Sequence, residues 1–305
     1  MKRFLNIFIF LFCVSPFLLA QTDLMFMQQT HNRSVLNPGA TGKGGDVNMA
    51  LSLRQQWIGF PGASTQMLNG SGFVKDIRSG FGFMFLNDEL GPHKSQNLKI
   101  NYAYFIPFAE KAFLSLGLGM GFIHNEYDES DFFAMDDNDD VITYERLTKT
   151  VPDFDFGMEF NTSNLEVGAS VTHFSYAYED VNLVRPMRNI YAYVRGKVPL
   201  DKYWDFIPGF TWHNTRQLNT YEVNASLRYN NNICVNIIYR NPASLGIAAG
   251  INIYGGFRIV YSYDYGFDGL SRYNNGSHEI TLSYNIPVNT TYVRSKLRFF
   301  RWKMF

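Results

Sequence analysis

The sequence contains little cysteine and, beyond its first twenty residues, no long hydrophobic run. Its 305 residues include only Cys13 and Cys234, and Cys13 lies inside the N-terminal apolar stretch. If that stretch is removed, one cysteine is left, which excludes an internal disulfide and a cysteine-based metal cluster. No later apolar segment approaches the roughly twenty residues that a membrane-spanning helix needs.

Net charge is absent as well, because 27 basic side chains balance 27 acidic ones. This balance gives no indication of nucleic-acid binding, for which a basic domain is typical. The six histidines show no zinc spacing, and no Gly-x-Ser-x-Gly elbow or phosphate loop occurs. Ser277 and His278 are adjacent, so on a strand they would point to opposite faces. We therefore expect no enzymatic activity and no cofactor.

Four segments of different character follow one another along the chain. Residues 1–20 join a short positive start to an apolar stretch, which is typical of a secretory signal peptide, although an uncut anchor helix is the alternative. Residues 21–45 form a polar lead-in that could plug a lumen or lie in the periplasm. Residues 46–287 carry the strand patterns. Residues 288–305 form a basic, aromatic tail that could bind anionic lipid heads or an acidic periplasmic partner, or could be a disordered end.

The abundant feature is a period-two alternation of apolar and polar residues. In the segment Asp153–Phe160 every second residue is large and apolar, and most of the others are acidic. As a strand it would turn its apolar side chains to lipid and its acids to a wet lumen. We expect the three acids, Asp153, Asp155 and Glu159, to need water, cations or basic partners such as Arg228 and Arg258.

Fourteen such runs are bounded by turn residues. They are 46–57, 65–75, 79–87, 95–106, 111–123, 152–161, 164–173, 188–198, 203–213, 219–229, 232–240, 244–254, 257–265 and 277–287. Aromatic residues make up 17% of the chain, which suits strands and membrane-interface belts. An exported membrane chain without a membrane helix must span as a closed barrel. The sequence therefore predicts an all-β, transmembrane outer-membrane β-barrel of about 14 antiparallel strands, with 12–16 possible.

The connections between these runs alternate in length. Every second connection is short: Asp76–Arg78, Pro107–Glu110, Thr162–Ser163, Pro199–Lys202, Asn230–Asn231 and Gly255–Gly256. Most of the others are longer, notably 124–151, 174–187 and 266–276, although 241–243 is an exception. Outer-membrane barrels have short periplasmic turns and longer outer loops, whereas a soluble sandwich has no reason to alternate. Both chain ends would then face the periplasm.

Glycines are confined to one face of two of the runs. Gly80 and Gly82 alternate with phenylalanines in 79–87, and Gly117, Gly119 and Gly121 alternate with apolar residues in 111–123. Glycine on a single face indicates a close approach of another backbone or a crowded lumen.

The predicted loop 124–151 is rich in acids, among them Asp136, Asp137, Asp139 and Asp140. Clustered carboxylates are the ligands that calcium prefers, so these four residues are a weak candidate metal site. Their spacing does not match an EF-hand, and a solvated outer loop is the favoured explanation. We therefore assign no metal site.

Several segments resemble the PorP/SprF family, outer-membrane proteins of the Bacteroidota type IX secretion and gliding machinery. The resembling segments are Leu36–Gly42, Arg54–Ala63, Gly82–Asp88 with Gly91-Pro92, Asn97–Pro107 and Asn275–Ile280. They occur in the family's order and cover essentially the whole mature chain. The candidate motif or partner residues are Asn37, Pro38, Trp57, Pro61, Gly62, Asn87, Asp88, Gly91, Ser277, His278 and Glu279.

The resemblance implies an outer-membrane component of type IX secretion or gliding that acts by binding. Such a protein would anchor periplasmic ring or lipoprotein components, or retain a secreted adhesin through that protein's C-terminal domain. The alternative is an outer-membrane channel or transporter for a small or hydrophobic solute, since such barrels also carry N-terminal plugs. Outer-membrane lipid would surround the barrel in either case.

Overall fold

A computed structural model describes residues 26–27, 32–59, 62–109, 112–128, 146–174, 187–215, 218–241, 244–267 and 272–287. The expected signal peptide, the four aspartates of the acidic loop and the basic tail lie outside these residues. In the described part of the chain, the strands are β1 (Val47–Gln55), β2 (Ser64–Val74), β3 (Ser79–Leu90), β4 (His93–Ala109), β5 (Ala112–Asp128), β6 (Arg146–Thr162), β7 (Leu165–Thr172), β8 (Asn189–Gly196), β9 (Trp204–Thr215), β10 (Asn219–Tyr229), β11 (Ile233–Asn241), β12 (Ser244–Asn252), β13 (Phe257–Gly266) and β14 (Ser277–Ile286). The two-residue strand Val198–Pro199 continues β8 past Lys197.

The fourteen strands form one closed antiparallel sheet. Each strand pairs with the next along the chain, and β1 pairs with β14 so that Leu51 lies opposite Leu282. Closure satisfies the backbone hydrogen bonds of every strand without leaving a free edge, as a hydrocarbon environment demands. The predicted all-β barrel of about 14 antiparallel strands is confirmed. Among the described residues, no helix is long and apolar enough to cross a membrane.

Three neighbouring strands are longer than the alternation predicted. Strands β4, β5 and β6 each have 17 residues, so the predicted loop 124–151 shrinks to 129–145. Of the added residues at the start of β6, Arg146-Leu-Thr-Lys-Thr-Val, only Leu147 and Val151 are apolar, and Lys149 stands between them. Backbone pairing with β5 continues there without an apolar face, and a pattern search for alternation cannot detect such a strand.

The predicted turn Pro107–Glu110 is wrong in its first residues. Pro107 lies within β4, where it is opposite Phe113, and the register shifts before Ala109 pairs with Ala112. Proline lacks an amide hydrogen, so a strand tolerates it at such an irregularity. Phe108, at the irregularity, is 75% exposed on the outside of the ring.

The two faces of β6 have opposite environments. Phe154, Phe156 and Met158 are 42%, 47% and 53% exposed on the outer face. Asp153 and Asp155, by contrast, are buried inside the ring, as is Glu159. The predicted division into an apolar outside and an acidic lumen is confirmed for this strand.

The ring has two ends that differ in their connections. We call the end with loops 129–145, 173–188 and 267–276 the long-loop end, and the end with turns 75–78, 163–164 and 230–232 the short-turn end. Residues 32–46, here called the N-terminal segment, lie inside the ring and pack against β4 to β7 through the short 3-10 turn Pro38–Ala40. Nearer the long-loop end, Phe26 packs against lumen-facing side chains of β2 and β3.

Candidate functional site

Asn37 fixes the N-terminal segment to the barrel wall. Its Nδ2 donates to the carbonyl of Met158 and to the hydroxyl of Tyr193, both at 2.9 Å. Its Oδ1 accepts the amide hydrogen of Gly39 at 2.8 Å, and Asn37 is fully buried. The backbone of Asn37 is extended (φ −139°, ψ 108°), as a residue before proline prefers. The side-chain amide therefore joins β6 and β8 to the turn that Pro38 begins.

Glycines of the wall leave the space that this turn occupies. A Cβ atom at Gly117 of β5 would lie 2.1 Å from the amide nitrogen of Gly39. One at Gly157 of β6 would lie 2.0 Å from Asn37 Oδ1, and one at Gly80 would lie 2.1 Å from the carbonyl oxygen of Thr41. No side chain fits at such distances. The crowded lumen that one-sided glycines predicted is confirmed at Gly80 and Gly117, and Gly157 is a further position of this kind that was not predicted.

Two buried carboxylates hold the segment electrostatically. Glu159 of β6 and Glu166 of β7 are fully buried and face the lumen. Lys43 Nζ lies 2.8 Å from Glu159 Oε1 and also pairs with Glu166, while Arg33 Nε lies 3.3 Å from Glu159 Oε2 and pairs with Glu166. Buried charges of one sign are stable only when opposite charges neutralise them, so wall and segment depend on each other.

The site shifts the pKa values of Lys43 and Arg33 in opposite directions. Burial lowers the pKa of the Lys43 ammonium, and the Arg33 guanidinium lowers it further, against the opposing effect of Glu159 and Glu166. Burial also works against the charged form of Arg33, but the two carboxylates outweigh it and raise its pKa. Arg33 is therefore the more firmly charged partner of the carboxylate pair.

A second charged cluster surrounds Lys99 of β4. Its ammonium lies 2.7 Å from both Asp153 Oδ2 and Asp155 Oδ2. His173 Nδ1 lies 2.9 Å from Asp153 Oδ2, and the His173 amide donates to Asp155 Oδ1 at 3.0 Å. The two carboxylates and the imidazole are close enough to share a metal ion, but the Lys99 ammonium already supplies their cation.

The prediction that Arg228 and Arg258 are partners of the acidic residues of β6 is wrong. Arg228 of β10 pairs with Asp205 of β9, its neighbour across the strand pair, at 2.6 Å. Arg258 donates to Asn252 Oδ1 at 2.6 Å. Both arginines lie on a different sector of the ring from β6, and a position on the ring cannot be read from alternation.

Most of the remaining motif residues lie at the long-loop end on adjacent strands. The Trp57 amide donates to Ser277 Oγ at 3.3 Å, and the amide of Asn275 donates to the Ile58 carbonyl at 2.8 Å. These bonds join the loop after β1 to the start of β14. Pro61 lies outside the described residues, and a Cβ atom at Gly62 would lie 1.9 Å from the Gln56 carbonyl oxygen.

The same rim continues over β2 and β3. Thr65 Oγ1 donates to Asp88 Oδ1 at 2.7 Å, and Gln96 Nε2 donates to Asn87 Oδ1 at 3.1 Å. Gly91 adopts φ 55° in the two-residue turn that joins β3 to β4. The structure thus brings these residues together at the rim and keeps them apart from Asn37 and Pro38, which lie deep in the lumen.

Ser277, His278 and Glu279 open β14 and point alternately inward and outward. His278 lies on the outer face, where its Nδ1 is 2.5 Å from the Tyr261 hydroxyl. Glu279 faces the lumen, accepts the Met27 amide at 2.9 Å and lies 4.0 Å from Arg54 Nη1. Ser277 and His278 therefore do not form a catalytic pair, and Glu279 is a further lumen contact of the chain's N-terminal part.

The sequence interpretation missed the residues that hold the N-terminal segment. They are Arg33, Lys43, Glu166 and Tyr193. One signal was available: Arg33 and Lys43 are the only lysine or arginine residues of the polar lead-in 21–45, and the lumen-facing acids require cations.

Comparison with known proteins agrees with this architecture. The family model for the type IX secretion system membrane protein PorP/SprF matches residues 18–284. The chain belongs to the PorP/SprF family. The resemblance found in the sequence is thereby confirmed, and membership implies an outer-membrane component of type IX secretion. A comparison with curated protein sequences gives no match.

Solved structures that are similar to this PorP/SprF chain are outer-membrane barrels. The CymD monoaromatic hydrocarbon channel matches with a TM-score of 0.55 at 10% identity, covering 88% of this chain and 94% of that one. The Ralstonia pickettii toluene transporter TbuX matches with a TM-score of 0.53 at 8% identity, covering 84% and 93%. The TodX deltaS2S3 mutant channel gives 0.53 at 10% identity, covering 84% and 94%. At these identities the likeness shows the fold alone.

Proposed function

We propose that this chain serves type IX secretion by binding other proteins, and that it is not an open solute channel. Its partners would be periplasmic ring or lipoprotein components that it anchors, or a secreted adhesin that it retains at the cell surface. The observation that carries this proposal is that the chain's own N-terminal segment occupies the lumen against β4 to β7.

The N-terminal segment is attached to the barrel wall by buried hydrogen bonds and ion pairs, which keep the lumen filled. Asn37 makes hydrogen bonds to two strands, and Glu159 and Glu166 hold Arg33 and Lys43 in a fully buried site. Removing one member of a buried ion pair costs about 3–5 kcal/mol, so withdrawal of the segment, which would leave Glu159 and Glu166 without two of their cations, is unfavourable. A barrel filled in this way offers its rims and loops to partners.

A channel for a small or hydrophobic solute is the second candidate. A small space, part of it open to solvent, lies between the N-terminal segment and strands β8 to β10. The similar solved barrels include hydrocarbon channels and a toluene transporter by their descriptions. At such low sequence identity these barrels support a shared fold but not a shared solute. The observation in favour of the channel is therefore the space itself.

Purification and flux together separate the two candidates. The full chain, extracted from its native membrane in mild detergent, should co-purify with periplasmic lipoproteins or a surface adhesin identified by mass spectrometry. Reconstituted in liposomes, it should pass no more solute than empty vesicles, and deletion of its gene should abolish export or motility. Recovery of this chain alone together with solute flux would contradict the binding role.

A further inference from the structure

The charged side chains of the described lumen are distributed unevenly between its two ends. Within the closed part of the ring, the long-loop half contains three basic and six acidic residues: Arg54, Lys99, Arg240, Asp88, Asp153, Asp155, Glu222, Asp264 and Glu279. The short-turn half, with the N-terminal segment, contains six basic and four acidic residues: Arg33, Lys43, Arg195, Lys197, Arg228, Arg258, Asp46, Glu159, Glu166 and Asp205. The long-loop half is therefore net negative and the short-turn half net positive.

The positive excess lies mostly outside β4 to β7, the strands against which the N-terminal segment packs, although β8 also contacts the segment through Tyr193. Arg195, Lys197, Arg228 and Arg258 lie at the short-turn ends of β8, β10 and β13; we call them the basic sector. Asp205 serves two of them, since it lies 2.6 Å from Arg228 Nη2 and 3.4 Å from Lys197 Nζ.

Arg195 shares its carboxylate with the N-terminal segment. Glu166 is 3.9 Å from Arg195 Nη1, and the same carboxylate also pairs with Arg33 and Lys43. The basic sector therefore relies on shared carboxylates and keeps the net positive charge of its half of the lumen. The small space beside the N-terminal segment is lined by Arg33 and Arg195 as well as Glu222, so an anionic group that reached it would meet two guanidinium groups and one carboxylate.

We propose that the basic sector binds an acidic peptide segment of a periplasmic partner, an inference that rests on the proposed binding function. Guanidinium groups bind carboxylates through paired, charge-assisted hydrogen bonds, which are strongest away from bulk water. Lipid head groups do not fit this site, because the ring of strands separates the lumen from the surrounding leaflet. An extended acidic peptide at the short-turn end would bring its carboxylates to Lys197 and Arg258, the more exposed residues of the basic sector.

The test measures binding of fluorescein-labelled decaglutamate to the full mature chain in a non-ionic detergent, by fluorescence anisotropy. Lys197→Gln and Arg258→Gln should each weaken binding roughly three- to tenfold, and added salt should weaken it further, since attraction between charges near water is screened. Lys94→Gln is the matched control, because Lys94 is at the long-loop end, 3.0 Å from Glu89. It should leave the affinity unchanged, and decalysine should not bind.

Two results would overturn the proposal. One is equal affinity of all three variants; the other is loss of binding only when the basic residues of the tail, Arg294, Lys296, Arg298, Arg301 and Lys303, are replaced by Gln. Heat-modifiable gel mobility shows that each variant is folded before it is measured. If decaglutamate binds as expected but no partner co-purifies from native membranes, the proposed function is contradicted and the anion-binding role of the basic sector is supported. If partners co-purify but decaglutamate does not bind, the proposed function is supported and the role of the basic sector is contradicted.

Discussion

The two faces of β6 show how differently the outside and the inside of this barrel are specified. On the outer face, Phe154, Phe156 and Met158 are half exposed, and lipid is their partner whichever apolar residue is present. On the inner face, Glu159 is fully buried and depends on Arg33, Lys43 and Tyr193. The outer face requires only that its side chains be apolar, whereas the inner face requires particular residues that form ion pairs and hydrogen bonds with one another. Substitutions on the two faces should differ accordingly.

Loss of the Glu159 carboxylate should give the largest effect. In Glu159→Gln the cations of Arg33 and Lys43 lose one of their two shared carboxylates in a buried site, and we expect about 3–5 kcal/mol lower free energy of unfolding. Denaturant unfolding of the barrel in liposomes measures it. Glu126→Gln is the control, because its partner Arg146 is largely exposed at the projecting end of β5 and β6, and it should change little. A Glu159→Gln variant as stable as the control would refute the dependence of wall and segment on this carboxylate.

A charge on the outer face should be nearly as harmful. Phe156→Arg places a guanidinium in lipid, and it should lower the free energy of unfolding by about 2–4 kcal/mol if Phe156 lies near the midplane. The same liposome unfolding experiment measures this change. Phe156→Leu keeps an apolar side chain and should cost less than about 1.5 kcal/mol. Similar losses in both variants would show that lipid does not cover this face.

The glycines of the wall that face the N-terminal segment, Gly80, Gly117 and Gly157, leave no room for a single added methyl group. In Gly157→Ala the new Cβ would meet Asn37 Oδ1 at 2.0 Å, so the N-terminal segment must shift, at a cost of about 1–3 kcal/mol. Limited proteolysis of the folded barrel should then cleave the segment faster. Gly196→Ala is the matched control, since its Cβ would have Pro208 Cγ at an ordinary 3.7 Å. Equal cleavage rates in the two variants would contradict the packing of the segment against β6.

Asp155→Asn should have the smallest effect on the inner face. Lys99 retains Asp153, and the carboxamide oxygen of the new side chain can still accept the amide hydrogen of His173, so we expect a loss of about 1 kcal/mol. Its unfolding curve should lie between those of the parent chain and Phe156→Arg. If Asp155→Asn and Phe156→Arg were equally harmless, the assignment of inside and outside on β6 would be wrong.

How far the sequence could predict the site differs from residue to residue. Asn37 and Pro38 were identified by family resemblance, and the extended backbone before proline follows from local sterics. The hydrogen bonds of Asn37 to Met158 and Tyr193 could not be predicted, since 121 and 156 residues separate the partners. The alternation in 95–106 puts Lys99 on the polar face of its strand, but its two aspartates belong to another strand, and only the register of β4, β5 and β6 brings them together.

The sequence by itself determined the alternation, and through it the approximate number of strands, the lipid-facing and lumen-facing sides and the positions of most turns. These follow from local geometry, because successive side chains of any strand point to opposite faces. Only the tertiary structure decided that residues 32–46 lie inside the ring, that Glu159 and Glu166 face Arg33 and Lys43, and that Arg228 faces Asp205. Partners across a lumen depend on closure and register, which fix distances between residues far apart in the chain.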